Sequence, residues 1–330
     1  MYWYNISSEK PCIKDIHGFF IQINPANYTL VIIFKTNHLN KAKHILIFLF
    51  IGLYATSFAQ KTVTFDDQIA ELNTLGKEIL SDKTDADKYL SNTKCKSILK
   101  TLIETHASFE TDFSALKTIN ILQENNLKIY NWILPLYDGT YEYFAFFQIK
   151  TGKEAFRVVE LVDKSESIKS PETRILTNIN WYGALYYKII YSKDLGKDTY
   201  TLLGWDGNNL LTNKKLIDVV TTSSKGIIRF GAPIFKTEKK TKKRVIFEYA
   251  SNVVMSLKYH PEIGKIVFDV LIPSSSSLKG IYEYYGPTLD TFDALFIENK
   301  KWNYQKNIQI KLDPSFKDQI WKKPEKAVLR

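Results

Sequence analysis

Apolar residues recur at intervals of three and four from Phe65 to about Glu110, which is the spacing of amphipathic helices. The first predicted helix begins at Asp66 and Asp67, whose negative charge suits a helix N-terminus. Its apolar stripe consists of Ile69, Leu72, Leu75, Ile79 and Leu80. The second runs from about Ala86 to His106 with Asp85 as its cap. Its stripe consists of Tyr89, Leu90, Ile98, Leu99, Leu102 and Ile103.

After about Ile119 the pattern changes to short runs rich in Tyr, Phe, Ile, Val and Trp, separated by Asp-Gly, Gly-Lys and Pro-containing turns. Such runs are typical of strands, and Asp138-Gly139 is a strong hairpin signal. The predicted strands cover residues 129–134, 141–149, 156–162, 181–191, 199–205, 226–230, 245–249, 253–259, 265–271, 280–285 and a group near 292–302. Because turns and not helices join them, the sheets should be antiparallel.

The predicted fold class is therefore α+β, with N-terminal helices packed on a large antiparallel β-sheet system. Runs such as YEYFAFFQI are apolar throughout, which suits strands covered on both faces. A sandwich, a barrel and a small propeller-like arrangement all fit this pattern. The helical region should span residues 60–118 and the β-rich domain residues 119–312, followed by a basic, loosely ordered tail at 313–330.

An export signal is predicted between Lys41 and Gln60, in the segment KAKHILIFLFIGLYATSFAQ. Basic residues, an apolar run of about ten residues and small residues at Ser57 and Ala59 follow in the order of a signal peptide, and the run is short of the roughly 20 residues that span a bilayer. We expect cleavage near Ala59 and a periplasmic or secreted product without a transmembrane anchor. Residues 1–38 show no amphipathic period, so we expect translation to start at Leu39, with a signal peptide at 39–59 and a mis-annotated extension before it.

The composition and charge of the chain exclude few classes of function. The chain has 330 residues, a formal charge of +10 and an ordinary globular composition. The basic cluster Lys236–Arg244 could attract phosphates, but a solvated hairpin loop is the preferred interpretation, and no nucleic-acid-binding module accompanies the charge. Of the two cysteines, Cys12 precedes the predicted cleavage point. Cys95 should be a partly buried apolar side chain of the second helix.

The string GWDGNN, at residues 204–209, is the most distinctive polar motif. Asp206, Asn208 and Asn209 could bind a ligand, and Asp206 and Asn208 carry the oxygen atoms that calcium prefers. The string lacks the alternating acids and distal Glu of a calcium loop. A hairpin turn is therefore favoured, in which Gly207 and Asn208 adopt positive φ. No metal and no cofactor are expected.

The remaining candidate chemistry is a binding surface or a pair of acids. Aromatic rings near strand ends can stack on sugars, and the candidates for this role are Trp132, Trp181, Trp205 and Trp302. A glycosidase would need two facing carboxylates, for which Asp206, Glu248, Asp269, Asp290 and Asp293 are available. No GxSxG nucleophile motif is present, and His106 and His260 lack metal-ligand spacing. No catalytic residue is assigned.

Several segments, which span most of residues 129–302, resemble those of an uncharacterised family of exported bacterial proteins. They are IYNWILPLYDGTYEYFAFFQ, YTLLGWDGNNLLTNKKLIDVV, FGAPIF, RVIFEYA, IVFDVLIP and YYGPTLDTFDA. The resemblance implies export and no known activity, and this chain has Val270 where such relatives usually have a His after the Asp of IVFD.

We therefore expect an exported, non-enzymatic, β-rich binding or accessory protein. Its partner could be a glycan or another envelope component. The alternative is an exported hydrolase that acts on glycans or peptides through paired carboxylates. The binding protein and the hydrolase need different sites. An enzyme requires a deep cleft with converging acids, whereas a binding protein requires an exposed aromatic ledge.

Overall fold

The computed structural model describes residues 13–16, 19–24, 29–34, 64–152, 155–223, 225–238 and 240–309. The chain separates into two compact units, residues 1–62 and 63–330. In the first, β1 (Ile13–Ile16), β2 (Phe19–Asn24) and β3 (Thr29–Phe34) pair antiparallel in that order. The predicted signal at 39–59 and the tail at 313–330 lie outside the described residues, so both remain predictions.

Two helices open the described part of the second unit, α1 (Phe65–Ile79) and α2 (Asp85–Ile103). Both are capped by a threonine, because the side chains of Thr64 and Thr84 accept from the backbone N–H three residues on. Asp67 completes a capping box with Thr64. The cap predicted at Asp85 is thus wrong by one residue.

The buried face of α2 differs from the predicted stripe. Leu99, Leu102 and Ile103 are buried as expected, but Tyr89 and Leu90 are exposed. Polar side chains replace them on the buried face, because the first sheet offers partners there. The Lys88 ammonium donates to the Pro135 carbonyl at 2.9 Å, and the Trp132 indole donates to the Asn92 oxygen at 2.7 Å. Cys95 is buried as predicted, and burial raises the pKa of its thiol to about 12.

Sixteen strands follow among the described residues of this unit. They are β4 (Asn120–Glu124), β5 (Leu127–Pro135), β6 (Tyr141–Lys150), β7 (Phe156–Val162), β8 (Leu176–Thr177), β9 (Leu185–Tyr191), β10 (Thr199–Asp206), β11 (Thr212–Thr222), β12 (Ile228–Phe230), β13 (Phe235–Lys236), β14 (Thr241–Lys242), β15 (Val245–Ala250), β16 (Leu257–His260), β17 (Lys265–Pro273), β18 (Tyr285–Glu298) and β19 (Lys301–Ile308).

These strands form three large, mainly antiparallel sheets. The first sheet has the order β4-β5-β6-β7. The second has the order β8-β12-β11-β10-β9, and β15 also pairs with β11. The third has the order β14-β13-β19-β18-β17-β16, in which β13 and β19 are parallel. The predicted α+β class, with helices and antiparallel sheets, is confirmed at this level.

Three apolar cores hold these layers together. One lies between the helices and the first sheet and contains Trp132 and Phe146. Another joins the first and second sheets, with Phe147 and Tyr186 at its centre. The last contains residues of the second and third sheets, among them Trp302. Because Phe146 and Phe147 enter different cores, β6 is covered on both faces, which explains its unbroken apolar sequence.

One central strand was not predicted. β11 pairs with β10, β12 and β15, yet its sequence TNKKLIDVVTT alternates poorly because polar residues interrupt it. Internal partners account for this, as the fully buried Asp218 accepts from the Arg244 guanidinium at 2.7 Å. Conversely, the strand predicted at 280–285 is a 3-10 turn at Tyr282–Tyr284 that leads into β18.

Candidate functional site

The GWDGNN string forms the turn between β10 and β11 and is braced by a buried carboxylate. Asp206 Oδ1 accepts from the Tyr143 hydroxyl at 2.9 Å and from the Asn208 backbone N–H at 2.7 Å. The Tyr143 hydroxyl in turn accepts from the Gly207 N–H at 2.8 Å. Asp206 is almost fully buried, and this burial raises the pKa of its carboxyl above the ordinary value.

The backbone conformation of this turn was predicted correctly at Asn208 and wrongly at Gly207. Asn208 adopts the left-handed conformation with φ 47°, as expected. Gly207 does not, since it is absent from the positive-φ glycines of the described chain. A Cβ at Gly207 would instead lie 2.3 Å from Cε2 of Tyr141. Glycine is therefore required at this position by an aromatic ring packed against the backbone.

The oxygen atoms that could have bound calcium are engaged by protein groups. Lys214 Nζ donates to Asn208 Oδ1 at 2.6 Å and lies 3.9 Å from Asp206 Oδ2. Asn209 Oδ1 accepts from the backbone N–H groups of Leu211 and Thr212. Across the described residues, no group of three or more His, Cys, Asp or Glu side chains is placed to hold a metal ion. The arrangement stabilises a hairpin turn.

Exposed apolar side chains lie on this turn and on two loops that contact it. We call their surface the tip surface and define it by Tyr137, Leu210, Leu211 and Val254, whose exposed fractions are 96%, 72%, 59% and 86%. They lie on the loops after β5, β10 and β15. Contacts connect these loops, since Leu210 occupies the space beside Gly139, and Ser251 bonds to the carbonyls of Leu210 and Leu211 at 2.7 and 2.9 Å.

The tip surface was not predicted, although its sequence carries a signal. The pairs Leu210-Leu211 and Val253-Val254 stand in turn segments, where polar residues are usual. Apolar side chains in a turn cannot all enter a core, because the turn lies beyond the end of the sheet.

Three of the four candidate ligand-binding tryptophans are core residues. Trp132, Trp181 and Trp302 are buried. The indole N–H of Trp181 donates to the Tyr186 hydroxyl and that of Trp302 to the Thr201 hydroxyl, both at 2.9 Å. A ring enclosed in this way has no face to offer a sugar, so their assignment as ligand-binding residues is wrong.

Trp205 is the partly exposed member of the set. Its ring meets the edge of Tyr141 at a centroid distance of 5.3 Å, and its indole bonds to the Tyr249 hydroxyl. These contacts place Trp205 behind the turn, as a support for it.

Two of the candidate acids, Asp269 and Asp293, do not form a facing pair. Asp269 and Asp293 lie on the paired strands β17 and β18, but Asp293 is opposite Phe268 and Asp269 is opposite Phe292. This offset by one residue puts the two side chains on opposite faces of a regular ladder. Burial raises the pKa of Asp269, whose Oδ2 accepts from the Ser256 N–H at 2.6 Å. Asp290 is exposed.

The basic cluster Lys236–Arg244 forms the short β13–β14 hairpin and the residues after it, as the solvated-loop interpretation proposed. Part of its charge is used inside the protein, because Arg244 is buried against Asp218 and Lys242 pairs with Glu172 at 2.5 Å. These pairs reduce the charge that the cluster can offer to a phosphate.

No protein family, curated protein or solved structure matches the chain. The resemblance to an exported bacterial family therefore remains an expectation. None of the helices in the described residues is long and apolar enough to cross a membrane.

Proposed function

We propose that this protein is an exported, non-enzymatic binding or accessory protein, envelope-associated or secreted, that docks onto a partner through the tip surface. The observation that carries the proposal is the exposure of four large apolar side chains on loops that are held in place by hydrogen bonds. Single exposed apolar residues are normal on any protein, but a cluster on adjoining loops marks an interaction site.

The bracing behind the tip surface makes it suitable for binding. Tyr143, Asn208 and Lys214 hold the turn after β10, and Ser251 ties the loop after β15 to it. A surface that is ordered before binding loses little conformational entropy when the partner arrives. The turn thus holds Leu210 and Leu211 exposed to water, and little further ordering is needed when a partner binds.

The composition of the three loops favours a protein partner. Residues 136–140, 207–211 and 251–254 contain no Lys or Arg, whereas surfaces that bind anionic lipids are rich in both. Saccharides stack on aromatic faces, and the tip surface has one aromatic ring among three aliphatic side chains. An apolar patch of another protein complements such a surface.

Site-specific photo-crosslinking in the producing cells tests this proposal. A photoreactive residue at Leu211 or Val254 should yield one discrete protein adduct, and the same residue at Ile263 should not. Ile263 is a suitable control, because it is also an exposed aliphatic residue in a turn. It lies in the turn after β16, whereas Val254 lies before that strand. Equal adducts from all three positions, or none from any, would refute the docking role; adducts with lipid or glycan would replace the protein partner.

Export has its own test, independent of the docking role. We expect N-terminal sequencing of protein isolated from the envelope or the medium to begin at Gln60, or within a residue or two of it. Retention of the segment Lys41–Phe58 in a membrane-bound product would contradict cleavage.

We further infer that the three sheets form a layered sandwich and not a barrel or propeller. Support comes from the second sheet, whose two faces contribute to two separate cores. A barrel closes one sheet around a single interior, so it would place one face of each strand outside.

A further inference from the structure

A cleft of about 470 Å³ is bordered by residues of the second and third sheets and takes no part in the tip surface. Its volume falls in the range of small-molecule sites, roughly 300–1,000 Å³. Its lining combines apolar and aromatic side chains with seven residues that carry polar or charged groups, namely Thr237, Glu238, Lys240, Lys242, Asp269, Asp293 and Tyr304. Apolar and aromatic walls with polar groups placed among them suit a small organic ligand that itself carries a polar group.

Three aromatic rings lie in a row along this cleft. The ring centroids of Phe247 and Phe268 are 4.8 Å apart, and those of Phe268 and Tyr304 are 6.4 Å apart in a stacked arrangement. All three residues line the cleft. Aromatic faces carry negative potential, so they attract cations as well as apolar groups.

A buried carboxylate lies at the end of this row. Asp293 is opposite Phe268 in the β17–β18 ladder, so its side chain is on the same face as that ring. Its Oδ2 accepts from the Tyr304 hydroxyl and its Oδ1 from the Asn307 N–H at 3.0 Å. A carboxylate can accept about four hydrogen bonds, so these two donors leave it with acceptor capacity.

The backbone shows a local device that orients Asp293. The register between β18 and β19 shifts between Phe292 and Ala294, so that Lys306 and Asn307 of β19 are opposed by the single residue Asp293. Opposite it, Asn307 adopts a left-handed φ of 49°. Bulges commonly redirect a side chain beside a functional site.

The charges at the rim of the cleft largely cancel. Lys242 pairs with Glu172, and Glu238 pairs with Lys306 at 2.6 Å. Lys240 is an exposed lining residue. Two buried carboxylates, Asp269 and Asp293, also line the cleft. Asp269 accepts from the Ser256 backbone N–H, whereas Asp293 lies on the same face as the Phe268 ring and can accept from a ligand beside it.

We propose that this cleft binds a small organic cation, an ammonium group attached to an apolar body. The ammonium donates to Asp293 and lies against the ring of Tyr304, while the body packs on Phe247 and Phe268. A charge-assisted hydrogen bond and a cation–π contact then act on the same group.

Calorimetric titration with three probes of similar shape tests the site. They are 2-phenylethylamine, the neutral 2-phenylethanol and the anionic 3-phenylpropionate. The amine should bind about tenfold more tightly than the alcohol, since only the amine brings a positive charge to the Asp293 carboxylate and to the aromatic rings. The acid should bind most weakly. Equal affinity for amine and acid, or no binding of the amine, would overturn the proposal.

Two variants distinguish a specific effect of the Asp293 carboxylate from a general effect of removing a negative charge. Asp293→Asn should weaken amine binding about tenfold or more, because the ammonium loses its charged partner. Asp290→Asn is the matched control, an exposed acid on the same strand, and should bind like the wild type. Equal loss in the two variants would refute the assignment.

A rim variant keeps the test valid if Asp293→Asn does not fold. Lys240→Glu changes an exposed side chain and should strengthen amine binding severalfold by reversing a nearby charge. A weaker amine affinity in Lys240→Glu would contradict a cation site. These outcomes are independent of the tip surface and its partner.

Discussion

Gly207→Ala should destabilise the protein through a steric clash and not through backbone strain. The added Cβ would lie 2.3 and 2.4 Å from Cε2 and Cδ2 of Tyr141 and 2.8 Å from Cη2 of Trp205. The two rings pack edge to face against each other and the Trp205 indole bonds to the Tyr249 hydroxyl, so a shift of either ring disturbs these contacts. Overpacking of this kind costs about 1–3 kcal/mol of the free energy of unfolding.

A double-mutant cycle with Tyr141→Ala isolates the clash. Urea denaturation followed by tryptophan fluorescence would give the free energy of unfolding of both single variants and of the double variant. If the ring is the obstacle, Gly207→Ala should cost no more than a few tenths of a kcal/mol once the ring is removed. The coupling energy should then approach the full cost of the single substitution.

Gly264 supplies the matched control for strain. It has φ 63°, and a Cβ there would meet nothing within 4 Å, so Gly264→Ala should cost about 1 kcal/mol from φ alone. That cost should be unchanged by Tyr141→Ala. If Gly207→Ala were equally costly with and without Tyr141, the steric explanation would be refuted.

Three further predictions concern a turn, a lysine and the helices. Asp206→Asn should cost less than about 1 kcal/mol, since an amide oxygen can still accept from Tyr143, and added calcium should not raise the melting temperature of the wild type; a calcium shift that Asp206→Asn abolishes would show a metal site. Desolvation, with a contribution from Lys258, lowers the pKa of Lys215 to about 8, so the native state binds fewer protons than the unfolded state from pH 8 to about 10.4, and stability should rise with pH across that window. Lys215→Met should then stabilise the protein by about 1–2 kcal/mol at pH 7 and by nothing at pH 11 in urea titrations, and an equal gain at both values would argue against the shift. A chain that begins at Ile119 should melt lower or aggregate, because it bares the face of the first sheet that the helices cover, and unchanged melting would show that the helices are a separate appendage.

Local patterns were sufficient where neighbouring residues decide the structure. The helices at 65–79 and 85–103, the Asp138-Gly139 hairpin and the strand at 156–162 follow from spacing and turn chemistry alone. The turn after β10 was also predictable, because Asn at position 208 tolerates a left-handed backbone. In each case the determinant lies within a few residues of the chain.

Patterns failed where a distant partner changes what a residue can do. The sequence of β11 predicts no strand, because the ion pair of Asp218 with Arg244 cannot be seen in it. The sequence likewise suggested that Trp181 is exposed, whereas in the structure its N–H donates to the Tyr186 hydroxyl. The candidate site shows the same limit. No local signal could reveal that Ser251 meets Leu210, since the loops involved are 41 residues apart in the chain.

The helices, the antiparallel character of the sheets and the position of the main turns follow from the amino-acid sequence, because they depend on short-range sterics and on hydrophobic periodicity. Tertiary packing determines which aromatic rings are buried, why position 207 requires glycine and which loops form the tip surface. Those properties arise when sheets stack on one another, and the order of stacking brings together residues that no local pattern relates.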